Sequence, residues 1–218
     1  MLNTKFSVLL SVYYRENPSF LRDSLNSIIN QSFPPAEIVL VKDGPLNEDL
    51  EQIIVGFENK HSDIFKVIEL SKNVGLGNAL RIGMDNCSYE LIARMDTDDI
   101  SVSYRFKKQI DFLINNPQIS VVGSIIEEFN QTPGDLGVLK RLPENSDQLV
   151  IYSKQRSPVN HPSIMFRKSA VVSSGGYNGD FKLFEDYSLF ARMITKGFMF
   201  YNIQEPLLYF RTGNGIET

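Results

Sequence analysis

Phe6-Ser7-Val8-Leu9-Leu10-Ser11-Val12-Tyr13, near the start of a 218-residue chain, is an almost unbroken run of strand-forming apolar residues. A half-solvated strand alternates apolar with polar residues, whereas this pattern belongs to a strand buried on both faces, as in a parallel sheet covered by helices. The following residues agree. Asn17-Pro18 supplies a cap and a first-turn proline, and Leu21, Leu25, Ile28 and Ile29 recur at helical spacing as far as Phe33-Pro34-Pro35. Ile38-Val39-Leu40-Val41 reads as a second strand, Asn47 caps a helix carrying Leu50, Ile53, Ile54 and Phe57, and Phe65 to Leu70 reads as a third strand. This alternation predicts an α/β fold, a mostly parallel central sheet flanked by helices.

Further along, helices are expected over Gly77 to Asn86 and Tyr104 to Asn115, the latter stopped by Asn116-Pro117, with strands over Leu91 to Met95 and Ile119 to Gly123. Between Asn130 and Asn145 the periodicity fades, and the stretch reads as a surface excursion within one domain. A helix near Ser146 to Tyr152, a strand Ser163 to Phe166, a Gly175-Gly176 turn, a helix from Asp186 to Thr195 and two strands, Phe198 to Ile203 and Leu207 to Phe210, complete the expected order.

With 42% hydrophobic and 22% charged residues, the chain can build a real core. Its 22 basic and 26 acidic side chains are intermixed and sum to -4, which argues against nucleic acid as a partner. Cys87 is the only cysteine and His61 and His161 the only histidines, so an intramolecular disulfide and a multi-histidine zinc site are excluded. Met1 to Lys5 runs straight into the first strand, with no signal-peptide pattern. The expected location is the cytoplasm, with peripheral membrane association if the substrate is lipid-linked.

Chemistry gathers beyond the strand ends. Asp43-Gly44 closes the second strand, and in a parallel sheet Asp43, Asn73 and Asp96 share one rim. Asp43 is either an ordinary turn residue or an acceptor for a nucleobase N–H or a ribose hydroxyl; the N3–H of uridine makes that the leading base. Ser71 to Gly77 opens a helix with glycines at 75 and 77, and Arg81 is either a diphosphate partner or a solvated residue. Leu80 stands where a dinucleotide fingerprint needs its third glycine, so a dehydrogenase fits poorly. Asp96-Thr97-Asp98-Asp99 packs three carboxylates together, and a bound Mg²⁺ or Mn²⁺ would relieve their repulsion. The alternative is a cap for the next helix. Glu185-Asp186 is either first-turn helix electrostatics or a site for a general base at Asp186. His161 is either a satisfied buried residue or a donor to phosphate or sugar.

In order and spacing these segments resemble the family 2 glycosyltransferases, enzymes of bacterial polysaccharide, capsule, lipopolysaccharide and glycolipid synthesis. The resemblance covers nearly the whole chain. It implies a single GT-A domain over 1–218, with 1–100 as nucleotide-binding half and 101–218 as acceptor-side half. Ser11, Val12, Tyr13, Asp43, Asn73, Gly75, Arg81, Asp96, Thr97, Asp98 and His161 are then expected around the nucleoside-diphosphate sugar. Arg94 to Asp99 looks like the DxD motif, with Asp98 the principal and Asp96 a further ligand of Mn²⁺ or Mg²⁺. Glu185 to Arg192 resembles the family's Glu-Asp helix, with Asp186 as base and Glu185 assisting. The implied reaction is inverting transfer from a UDP-sugar to the hydroxyl of a saccharide or lipid-linked acceptor. Two departures stand out: Lys42 occupies a place where many relatives have an acid, and many relatives continue beyond the equivalent of Arg211, so that the acceptor pocket is expected to be completed by residues absent from this chain. The alternatives are a catalytically silent nucleotide-sugar-binding module and a nucleotidyltransferase, the latter disfavoured because Tyr13 to Asn17 contains no glycine.

Overall fold

The computed structural model describes residues 4–213. The chain runs β1 (Phe6–Val12), α1 (Pro18–Ile29), β2 (Glu37–Lys42), α2 (Glu48–Lys60), β3 (Phe65–Glu69), α3 (Leu76–Asn86) and β4 (Leu91–Arg94). It continues through β5 (Ile100–Ser101), α4 (Arg105–Asn115), β6 (Ile119–Phe129), β7 (Val138–Lys140) and α5 (Ser146–Tyr152). After a 3₁₀ turn at His161–Ser163 come β8 (Met165–Arg167), α6 (Lys168–Ser173), α7 (Glu185–Thr195) and β9 (Met199–Arg211). The early helices start where capping chemistry dictates: the Asn17 side chain accepts the Ser19 N–H at 2.9 Å, and that of Asn47 the Leu50 N–H at 3.0 Å.

The strands form one sheet in the order β3-β2-β1-β4-β8-β6-β9-β5, with β7 on β6. Strands β3, β2, β1 and β4 are mutually parallel; β8 is antiparallel to both β4 and β6, so β6 and its parallel neighbour β9 regain the direction of β1. Among the described strands only β5, β7 and β8 run the other way. The expected mostly parallel sheet is therefore present, with antiparallel insertions in its second half. Order reverses between β1 and β4: the chain first builds outward to β3, then returns across β1.

The apolar run that opened the reading divides as a doubly covered strand should. Phe6, Val8, Leu10 and Val12 pack with Leu21, Leu25, Ile28, Leu50 and Phe106 from α1, α2 and α4. Leu9, on the other face, packs with Ala79, Leu80 and Met84 of α3 and Leu189, Phe190 and Met193 of α7. No helix among the described residues is long and apolar enough to cross a membrane.

Four local expectations change. Ser163 to Phe166 is not a four-residue strand; the 3₁₀ turn His161–Ser163 takes in Ser163, and the paired strand is Met165–Arg167. The two expected C-terminal strands are one, because β9 bulges around Pro206, where the missing N–H is tolerated without ending the strand. The short elements β5 and α6 lie in stretches to which the sequence reading assigns no element. The excursion from Asn130 to Asn145 is exposed over 130–141 but buries Leu142, and it folds back as β7 along β6.

Candidate active site on the carboxyl rim of the sheet

The carboxyl ends of β1, β2, β3 and β4 face one rim, at the reversal of strand order where open α/β sheets form a crevice. On it stand Ser11, Val12 and Tyr13 at the end of β1, Asp43 after β2, Asn73 and Gly75 after β3, and Asp96 after β4. Asp43 is buried and ties two rim loops together: its carboxylate accepts the Val74 N–H at 2.7 Å and the Gly75 N–H at 3.1 Å, and its carbonyl accepts from the Asn73 side chain at 3.2 Å. Each carboxylate oxygen keeps a further lone pair for a ligand N–H. The loops meet closely enough to demand glycine next door. Gly44 has φ +90°, and a Cβ there would lie 2.6 Å from the Asn73 nitrogen. Lys42, the departure from the family pattern, is buried and bonded to Glu51 at 2.6 Å and Glu69 at 2.7 Å. Burial opposes its charge, but these two carboxylates outweigh that and hold the ammonium above its ordinary pKa.

The acid loop is built by partners distant in sequence. One carboxylate oxygen each from Asp96, Asp98 and Asp99 lies within 4.8 Å of the others. Asp96 is gripped by both terminal nitrogens of the buried Arg94, one at 2.6 Å, while its carbonyl accepts from Ser24 at 3.0 Å. Asp99 is fully buried: Oδ1 accepts the Arg211 N–H at 2.9 Å, whereas Oδ2 has no hydrogen-bond partner among the described residues. Burial first, then the charges of Asp96 and Asp98, push its carboxyl well above the usual range. An orphaned buried carboxylate oxygen costs about 1–3 kcal/mol, and a hard divalent cation is the ligand that such an oxygen set suits. The residues therefore fit Mg²⁺ or Mn²⁺. They do not cap a helix, since α4 begins only at Arg105.

Arg211 closes the loop from the far end of the chain. Its Nε donates to the Asp98 carbonyl at 2.9 Å, and its guanidinium lies 3.9 Å from the Phe20 ring centre and 4.4 Å from that of Phe129. Thr97 is buried and donates its hydroxyl to Glu16. Burial, despite that hydrogen bond, holds Glu16 above the usual carboxylate range, with Asp96 adding to the effect. Glu16 and Arg211 are partners of the acid loop that motif reading does not single out, and it gives Arg94, which lies within the acid motif, no role of its own.

At the start of α7, Glu185 is buried and Asp186 half-buried, and burial is the first cause raising both carboxyls above the ordinary range. Asp186 lines a cavity of about 290 Å³ with His161, Lys140, Tyr152, Arg156 and Phe210. His161 is also packed into the core, its Nε2 2.8 Å from the Tyr177 hydroxyl. Burial and the Arg94 charge hold the imidazole well below its usual pKa, so it is neutral. Arg81 does not join the acids. It lines a separate cavity between α3 and α7.

A rim of polar strand-end residues with three clustered carboxylates, and a further carboxylate beside a cavity, is the arrangement that a nucleotide-dependent group transferase needs. Residues 7–173 match the model of glycosyl transferase family 2. The chain is 39% identical over 212 residues to an uncharacterized glycosyltransferase of Haemophilus influenzae, covering 97% of this chain and 78% of that protein. It is 37% identical over 207 residues to the UDP-Gal:α-D-GlcNAc-diphosphoundecaprenol β-1,3-galactosyltransferase of Escherichia coli, covering 95% and 74%. The crystal structure of S. aureus TarS 1-349 with UDP-GlcNAc shares the fold at a TM-score of 0.76 and 19% identity, over 97% of this chain and 60% of that one. The chain belongs to glycosyl transferase family 2, and it is a GT-A-fold glycosyltransferase using a nucleotide-sugar donor.

Proposed function

We propose that the protein is a cation-dependent, inverting glycosyltransferase that moves a sugar from a UDP-sugar to a hydroxyl of a saccharide carried on a lipid diphosphate. The supporting observation is the pairing of two separate carboxylate groups: Asp96, Asp98 and Asp99 on the rim, and Asp186 beside its own cavity. The E. coli relative, whose name specifies a UDP-sugar and a lipid-diphosphate acceptor, supports both substrates.

In this reading Ser11, Val12, Tyr13, Asn73 and Gly75 border the nucleotide, and Asp43 accepts the base N–H with its remaining lone pairs. Asp98 and Asp96 hold the cation, with the orphaned oxygen of Asp99 as a third donor. When bound, the cation stabilises charge on the departing diphosphate. Asp186 takes the proton of the acceptor hydroxyl as its oxygen bonds to the anomeric carbon and the nucleoside diphosphate leaves from the opposite face. Glu185 orients the acceptor, and Thr97 acts indirectly, through Glu16. Residues up to 100 then serve the donor and later ones mainly the acceptor, and a lipid carrier brings the protein to the membrane surface. The test is incubation with UDP-sugars, Mn²⁺ or EDTA, and a lipid-diphosphate-linked N-acetylhexosamine. An inverted glycosidic product formed only with the cation is expected; a retained anomer, or equal yield in EDTA, refutes the mechanism.

A further inference from the structure

The cavity between α3 and α7 has a composition that the donor chemistry does not use. It measures about 660 Å³ and is lined by Arg81 from α3, by Tyr177, Phe181 and Phe184 from the segment before α7, and by Tyr187 and Arg192 from α7 itself. That volume is in the range of ordinary small-ligand sites. The lining holds four aromatic rings and two guanidinium groups, and no carboxylate.

The two arginines differ. Arg192 is spent on the wall, donating to the carbonyls of Ser188, Ser174 and Gly176. Arg81 is exposed and has no hydrogen-bond or ion-pair partner among the described residues. Beside it Phe181 is 50%, Leu183 70% and Phe184 62% exposed, apolar surface held outward by a segment in which Leu183 takes φ +67°. A side chain other than glycine adopts that conformation only under strain. One available cation next to exposed aromatic rings is complementary to a ligand with an anionic head and an apolar tail.

Resting on the lipid-linked acceptor reading above, we propose that this cavity binds the carrier half of the acceptor, a polyprenyl diphosphate. Arg81 takes the diphosphate, and Phe181, Phe184 and Tyr187 take the first isoprene units. Tyr187 and Ser188 line this cavity and Asp186 lines the other, so the first turn of α7 borders both, and in this assignment the sugar on the diphosphate meets the base across that turn. Arg81 is thereby moved from the donor diphosphate to the acceptor diphosphate.

Calorimetric titration of the protein with farnesyl diphosphate tests this, with Arg81→Gln and Phe184→Ser as variants, a wild-type urea midpoint as the control for folding, and Mn²⁺-dependent UDP binding measured in parallel. The expected result is that each variant weakens farnesyl diphosphate roughly tenfold or more while UDP affinity stays at the wild-type value. Inorganic diphosphate and farnesol should each bind far more weakly than the intact probe. No binding to the wild type, equal affinity in both variants, or inorganic diphosphate binding as tightly as farnesyl diphosphate overturns the assignment. Loss of UDP affinity in Arg81→Gln also overturns it and returns Arg81 to the donor. A lipid-free sugar accepted as well as the lipid-diphosphate-linked one would instead sink the acceptor reading, a result the titration cannot produce.

Discussion

Single side chains at this site carry separable duties. In the proposed mechanism Asp186 is the base; it stands in the first turn of α7, and burial raises its pKa. Asp186→Asn should slow transfer by roughly 10²- to 10⁴-fold with nucleotide affinity unchanged, measured by product formation and by calorimetry. Near-normal transfer in that variant, or a far larger loss in Glu185→Gln, would move the role. The pH dependence follows with its sign. A base must be ionised, so activity falls as pH drops through its pKa, and the raised pKa puts this acid limb above the ~3.9 of an unperturbed aspartate. In Asp186→Asn the limb attributable to this group should vanish from the pH profile of kcat/KM. Asp98→Ala should remove most of the difference between UDP affinity with Mn²⁺ and with EDTA. Equal affinity in all four measurements would exclude a cation held by the acid loop.

Between elements, the loops after β2 and β3 are laced together by Asp43 and need the bare backbone of Gly44. Gly44→Ala combines a positive φ with a Cβ 2.6 Å from a backbone nitrogen that cannot turn aside. It should cost roughly 2–3 kcal/mol, read as a lowered urea midpoint, and should weaken nucleotide binding along with stability. Asp43→Ala should weaken uridine nucleotides more than adenosine nucleotides in competition assays, and unchanged affinity for every base would remove it as the reader of the base. This rim could be read from sequence because each of its acids directly follows an apolar run. The partners of the acid loop could not. Glu16 lies 81 residues from Thr97, and the Arg211 N–H lies 112 residues from Asp99, distances at which no local spacing survives. For the same reason sequence favours a buried role for a lone histidine such as His161 without revealing Tyr177, its partner from another segment. The two expected C-terminal strands merged for a different reason: the bulges around Pro206 lie within β9, and the gap between two apolar runs does not reveal that one strand continues through them.

Across the whole molecule, the acid loop in the first half is held by the last described strand. Arg211→Ala removes a guanidinium stacked on two rings and bonded to the Asp98 carbonyl, and it should destabilise by roughly 2–3 kcal/mol. Mn²⁺-dependent UDP affinity should fall further than in a surface variant such as Lys107→Ala; equal effects would show that the clamp does not support the loop. The same clamp orders events in time. During vectorial synthesis, at about 5–20 residues per second, Arg211 is added about 6–22 seconds after Asp99. In that interval β1 to β4 emerge with their three-acid loop unbraced. A nascent chain stalled before β9 is therefore expected to carry the strand-end rim with its acid loop unbraced by Arg211.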